Sequence, residues 1–206
     1  MLTIWGRSNS VNVQKVMWAC EEMQIAYERI DAGAEFGVVN TPQYRSLNPN
    51  GLVPTIEDAG FVMWESNAIL RYLCAKHSAG KLWPQELILR AEADMWMDWE
   101  NSVLWPALRP LFWNLVRTPV ELRDIQAMEN SRLRTGEVLG YLDDQLRHRH
   151  YVAGADFSMG DIPVGCAVWR WYQLPVERPA LPHLERWFEL LCKRPGFQKV
   201  VALPLT

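Results

Sequence analysis

Two short stretches of this chain carry the residue types of a site for a small acidic peptide. One is Asn48-Pro49-Asn50-Gly51-Leu52-Val53-Pro54-Thr55-Ile56; the other, nine residues on, is Glu65-Ser66-Asn67-Ala68-Ile69-Leu70. Proline has no N–H to give a ladder and sits at strand starts and edges. Val53 is therefore expected at a sheet edge, with its backbone N–H and C=O free to pair with an extended peptide. Ser66 is expected as the N-cap of a helix, where unpaired N–H groups can receive a carboxylate. The same residues also suit a plain strand start and a plain cap, so residue type alone leaves both readings open.

Periodicity supplies the frame around these stretches. Leu2 to Trp5 reads as a strand, Gly6 to Ser10 as a loop, and Val13, Val16, Met17, Cys20 and Met23 recur at helical spacing. Tyr27 to Asp31 reads as a second strand, and a short helix is placed near Thr41 to Leu47. A strand after Pro54, a turn at Asp58-Ala59-Gly60, a strand from Phe61 to Trp64 and a helix from Ser66 to His77 complete this half. That β-α-β-α-β-β-α order is thioredoxin-like. Beyond Ser78 to Glu86, with its Gly80 and Pro84, nothing reads as a strand. Leu87 to Trp99 is helical and runs on to about Trp105, Pro106 and Pro110 interrupt or kink the next segment, and Pro119 opens a long helix ending near His148. Ser158-Met159-Gly160-Asp161 has the spacing of a capping box, with Phe157 and Ile162 as its hydrophobic staple, and its role is folding. The expected class is α+β: a mixed domain over residues 1–79, a linker over 80–86 and an all-helical domain over 87–206.

Composition narrows the function classes. A chain of 206 residues with a formal charge of -3 can bury a sizeable core, and its Lys and Arg are dispersed rather than gathered in a basic stripe, so no nucleic-acid partner is expected. No apolar run approaches about eighteen residues, and Met1-Leu2-Thr3-Ile4-Trp5 has no basic n-region with an apolar h-region, so a cytoplasmic chain without membrane contact is expected. Cys20, Cys74, Cys166 and Cys192 are scattered without a C-x-x-C and read as core residues; His77, His148, His150 and His183 lack metal-ligand spacing, so no metal is expected. There is no G-x-S-x-G elbow, phosphate loop or dinucleotide fingerprint.

The stretch through Val53-Pro54 to Glu65-Ser66-Asn67-Ala68-Ile69 resembles the cytosolic glutathione transferases, most closely the bacterial theta-like or GstB-like kind. The resemblance spans nearly the whole chain. It implies a glutathione transferase architecture, a cis bond at Val53-Pro54, pairing of the Val53 backbone with the cysteine of glutathione, and a γ-glutamyl site at Glu65 and Ser66. It also implies glutathione as co-substrate, a homodimer and a detoxifying role. Glutathione must react as its thiolate, and a hydroxyl or amide at a helix N-terminus can stabilise one. Ser8, Asn9, Ser10 and Asn12 stand after the first strand. Counting back from Val16 as in serine-type members picks Ser10, with Asn12 as second donor or substitute. Leu52 departs from the pattern: many members have a basic or amide residue there for the glycyl end of glutathione. The acceptor pocket falls by resemblance on Trp105, Leu108, Phe112 and Trp113, whose aromatic walls suit an apolar electrophile. Asp94 and Asp98 share a helical face that could reach the γ-glutamyl ammonium across a dimer, although they also suit a solvated face.

The leading expectation is a glutathione transferase attacking a small electrophile, with halide as a leaving group. Its alternatives are a glutathione-dependent disulfide reductase, which the absence of cysteine from Ser8 to Asn12 disfavours, and a non-catalytic glutathione or small-molecule binder, which Leu52 keeps open.

Overall fold

Leu2 and Ile4 are buried while Thr3 and Trp5 are half-buried, the period-two pattern of a strand, and the first half of the chain is built around this strand, β1 (Leu2–Trp5). A computed structural model describes all 206 residues. β1 pairs in parallel with β2 (Tyr27–Ile30) and antiparallel with β3 (Thr55–Asp58), and β3 pairs antiparallel with β4 (Phe61–Trp64), giving the order β2-β1-β3-β4. Parallel neighbours need a crossover, and helix α1 (Val11–Met23) supplies it. Helix α2 (Pro42–Leu47) is capped by Thr41, whose hydroxyl accepts from the Tyr44 N–H at 3.2 Å. Helix α3 (Ser66–His77) packs against α1.

The edge expected at Val53 is not one. The β3–β4 hairpin places β3 in the interior of the sheet, and the ladder begins at Thr55, so Val53 stands in the loop before it. Its backbone N–H and C=O nevertheless make no hydrogen bond within the chain. The Val53–Pro54 peptide bond is cis.

The second half is helical. Helix α4 (Leu87–Trp99), a π-helical turn (Glu100–Leu104) and α5 (Trp105–Arg117) follow one another without a break. Pro106, directly after the π-helical turn, and Pro110, inside α5, both lie within this continuous rod without ending it, so neither proline interrupts the helix as expected. Pro119 likewise opens only a 3₁₀ turn (Val120–Leu122). The long helix, α6 (Ile125–Leu146), starts later because Asp124 caps it, accepting from the Ala127 N–H at 2.9 Å. Helices α7 (Asp161–Gln173), α8 (Pro182–Cys192) and α9 (Pro195–Val200) complete the chain. No helix is long and apolar enough to cross a membrane.

Ser158 and Asp161 form half of the expected capping box. Asp161 reaches back to the Ser158 N–H at 2.9 Å, but the Ser158 hydroxyl takes the Gly160 N–H at 3.3 Å instead of that of Asp161. Asp161 also accepts from the Val152 N–H at 3.0 Å and the Trp187 indole at 2.9 Å. Burial pushes its carboxyl up to about 6. The hydrogen bonds from Val152, Ser158 and Trp187 oppose that rise and compensate its burial.

The two halves share one apolar core, and α1 lies within it, packed against α3, α7 and α9. A helix covered on so many sides buries polar residues too, and Gln14 and Lys15 are 3% and 1% exposed. Both find partners in the helical half. Lys15 Nζ donates to Glu100 Oε2 at 2.6 Å, and Arg170 Nη2 donates to Gln14 Oε1 at 2.7 Å. Glu100 sits at the start of the π-helical turn.

Removing one partner of a buried ion pair strands the other. Lys15→Met should cost about 3–5 kcal/mol in denaturant unfolding, and the double variant Lys15→Met/Glu100→Leu should cost clearly less. Burial raises the Glu100 carboxyl above its ordinary 4.5, and Lys15 opposes that rise. A raised carboxyl favours folding below its unfolded pKa and loses that contribution as pH rises through the folded pKa. Relative to wild type, Lys15→Met should thus be more stable at about pH 5 than at about pH 8. Equal losses at both pH values would contradict the buried-charge account.

Candidate functional site

Ser10 is the N-cap of α1, extended at φ −76° and ψ 126°, yet its hydroxyl accepts from none of that helix's amides. The N–H groups of Val11, Asn12 and Val13 have no backbone acceptor either. A hydroxyl that is nearly buried and a free helix N-terminus therefore share one place, at the positive end of the helix dipole. Asn12 Oδ1 accepts from the Ser66 hydroxyl at 3.3 Å, which leaves its amide N–H groups unused and ties the start of α1 to the start of α3.

Ser10 and Asn12 line a cleft of about 340 Å³ together with Leu52, Val53, Trp105, Phe112 and Trp113. Those are seven of the residues the sequence singled out. Leu108 is not among them: it is fully buried in the core. Positions 105, 109, 112 and 113 lie on one face of α5, and 108 turns from it toward the interior. Pro54 is buried behind the cleft wall, and Glu65 and Ser66 stand outside its lining.

Ser66 is the first residue of α3 and not its N-cap. Glu65 holds the cap position at φ 73° and ψ 107°, a backbone region that costs a residue with a side chain about 1–3 kcal/mol. That conformation turns the chain sharply into the helix and leaves the Glu65 carboxylate without an ion pair or hydrogen bond inside the chain. Asp94 and Asp98 are not free in the same way. Arg71 on α3 donates to them at 2.7 and 2.5 Å.

The loop carrying Leu52 and Val53 rests on a small buried polar group that sequence reading missed. The Tyr44 hydroxyl donates to the Leu52 carbonyl at 2.7 Å and lies 2.8 Å from the Thr55 hydroxyl. Asn48 Nδ2 reaches the same carbonyl at 2.9 Å and the same hydroxyl at 3.1 Å. The Leu52 side chain itself projects outward, 64% exposed.

Sequence reading also missed the cations of the cleft. Arg7, Arg109, Arg117 and Arg170 all line it, and no carboxylate does. Arg109, Trp113 and Arg117 recur at steps of four along α5, a stripe visible in the sequence, but nothing there ties it to Arg7 or Arg170.

Comparison with known proteins agrees with this architecture. Residues 9–76 match the family described as "Glutathione S-transferase, N-terminal domain", and residues 104–195 match "Glutathione S-transferase, C-terminal domain". The chain is 39% identical to "Glutathione S-transferase GstB" of Escherichia coli (strain K12) over the full length of both. It is 29% identical to "Glutathione S-transferase 3" of Zea mays, covering 99% of this chain and 95% of that one. Among solved structures it is similar to the theta class glutathione S-transferase of the citrus canker pathogen Xanthomonas axonopodis pv. citri with glutathione bound. That likeness has a TM-score of 0.96 at 46% identity and covers 100% of this chain and 99% of the other.

The polar support of the loop gives a direct test. Tyr44→Phe removes one donor to Leu52 O while Asn48 keeps the other, so stability should fall by about 1 kcal/mol in urea unfolding. Amide exchange should accelerate at Asn50 and Gly51, whose N–H groups bond Asn48, more than in β1. Uniform acceleration across the sheet would mean that Tyr44 supports the core and not this loop.

Proposed function

Since the chain belongs to the glutathione S-transferase family, we propose that it binds glutathione across Val53, Glu65 and Ser66 and activates the thiol at the start of α1. The unpaired N–H and C=O of Val53 pair with the cysteinyl backbone of glutathione. Glu65 meets the γ-glutamyl ammonium, and Ser66 with the α3 N-terminus meets the adjoining carboxylate. Pro54 fixes the turn that presents Val53. Leu52 supplies no cation for the glycyl carboxylate, and Arg7, which like Val53 borders Gly33 and lines the cleft, fills that role.

The observation that carries this reading is the Ser10 hydroxyl, which caps nothing and borders the cleft. It donates to the thiolate, with Asn12 Nδ2 as the second donor, and the α1 dipole favours the anion. The thiol proton leaves to solvent. The sulfur forms a bond to an electrophilic carbon, the bond from carbon to the leaving group breaks, and a leaving group such as halide departs with the electron pair. Trp105, Phe112 and Trp113 hold the apolar body of the electrophile. No cysteine serves as a redox partner in the cleft: Cys20, Cys74 and Cys166 are buried, and burial pushes their thiols up to about 12. We extend the proposal to a cytoplasmic homodimer, with the exposed Phe61, Trp64 and Met95 as its apolar contact. A sedimentation mass of one chain would overturn the dimer.

One charge-assisted hydrogen bond is worth about 1.5–3 kcal/mol, so Ser10→Ala should slow turnover roughly ten- to a hundredfold at neutral pH. Glutathione affinity should change less, because the Val53 and Ser66 contacts persist. Asn12→Ala should have a smaller effect on rate. An inactive Asn12→Ala beside a fully active Ser10→Ala would move the role two residues along the chain. Wild-type rates in both variants would contradict thiolate stabilisation by side chains here.

A further inference from the structure

Arg7 and Arg109 are the two arginines of the chain whose side chains donate no hydrogen bond, and both line the cleft. Arg117 makes one long contact, 3.4 Å to the Thr206 carbonyl. Arg170 is 2% exposed; it bonds Gln14 Oε1, the Cys166 carbonyl and the Asn9 carbonyl, and its Nε is buried without a partner. Elsewhere the arginines sit in ion pairs or on carbonyls, as guanidinium groups in folded chains ordinarily do.

Aromatic rings hold the guanidinium faces of Arg109 and Arg117 and leave their donor edges free. The Arg109 guanidinium carbon lies 5.0 Å from the Trp113 ring centre, and that of Arg117 lies 4.7 Å from Trp113 and 5.5 Å from Phe112. Stacking of this kind satisfies the face of a guanidinium and not its N–H fork. No side-chain carboxylate lines the cleft beside the cluster. Glu100 is bonded to Lys15, and Glu35 acts on Arg117 from outside the lining. Burial, with Arg7 nearby, holds the Arg117 guanidinium below its ordinary range. Burial pushes Arg170 down to about 10, and Arg117 and Arg7 add to that. A bound anion would relieve the strain of gathering four cations in one place.

We propose that the electrophile taken by this cleft bears an anionic group, a carboxylate or sulfonate, on an aromatic or apolar body, and that Arg109 and Arg117 select it. The inference rests on the thiol site proposed at Ser10. The cluster comes from different elements: Arg7 borders Gly33, as Val53 does, whereas Arg109 and Arg117 stand on α5 with Trp105, Phe112 and Trp113. An anion held in the α5 fork, with its body along those rings, directs the electrophilic carbon toward Ser10. In the reaction the sulfur–carbon bond forms, the carbon–halogen bond breaks and halide leaves with the electron pair. The anionic group of the electrophile is unchanged.

A matched pair of benzyl halides tests this. 4-(Bromomethyl)benzoate and its methyl ester share a reacting carbon and differ in charge, and rates are corrected for the uncatalysed reaction. Wild type should prefer the benzoate in kcat/KM by roughly ten- to a hundredfold, as expected for one or two charge-assisted contacts. Arg109→Leu and Arg117→Leu should each erase most of that preference, chiefly through the KM for the benzoate, with the KM for glutathione unmoved. Arg134→Leu, on the exposed face of α6, should keep it. Should the leucine variants fold poorly, the wild-type preference and competitive inhibition by 4-methylbenzoate against the ester still decide. A wild-type enzyme that turns over both compounds equally, or prefers the ester, overturns the anion proposal and leaves the transferase reading standing. A rise in the KM for glutathione in the arginine variants would assign the cations to glutathione and also overturn it. Failure to bind glutathione calorimetrically, with neither halide turned over, would instead sink the reading of the Ser10 site.

Discussion

The structure depends on the burial of α1. The N-terminus of this helix borders the cleft, and its body is enclosed by α3, α7 and α9. Enclosure buries Gln14 and Lys15, and a buried amide and ammonium need partners. The first half of the chain supplies none, so Arg170 and Glu100 come from the second. The π-helical turn beginning at Glu100 sets one extra residue per turn into the α4–α5 rod, a device that re-phases the helix faces on either side. Glu100 faces inward to Lys15, and five residues later α5 begins the face that walls the cleft. The thioredoxin-like half therefore cannot hold the site alone.

Electrostatics at that site follow from the same packing. The unbonded amides and hydroxyl at the start of α1 and the arginines on the facing walls are all donors or cations, and the lining contains no carboxylate. A thiolate placed there meets favourable potential from the helix end and from the walls, in a setting with less solvent screening than an open surface. Glu65, a free carboxylate of the neighbourhood, stands outside the lining, where the strained backbone of that residue holds it.

Much of this was legible in the sequence where the signal was local. The strand–turn–strand after Val53-Pro54 formed where expected and the Ser158 to Asp161 spacing formed half of its box, both of them depending on residues within a few positions of one another. What escaped were consequences of tertiary placement. Val53 read as an edge because the sequence cannot show that β1 would take the side of β3 that β4 leaves open, or that the ladder would begin only at Thr55. Ser66 read as a cap because nothing local reveals that Glu65 would accept a positive φ. Pro119 read as a helix start because Asp124, a stronger cap, lay five residues on. Leu108 read as cleft because apolar residues on either side of a helix look alike until the neighbours of that helix are known. The arginine cluster left only a partial signal, the Arg109–Trp113–Arg117 stripe on α5, since its other members come from the loop after β1 and from α7.

The central claim is that the start of α1 stabilises a thiolate, and the ionisation of bound glutathione tests it most directly. Ultraviolet difference titration of the protein–glutathione complex, following thiolate absorbance against pH, reads that ionisation without any electrophile present. An unperturbed thiol titrates at about 8.5, and the account requires the bound thiol to titrate at about 7 or lower. A bound glutathione that titrates like the free thiol would contradict it, whatever the enzyme later proved to conjugate.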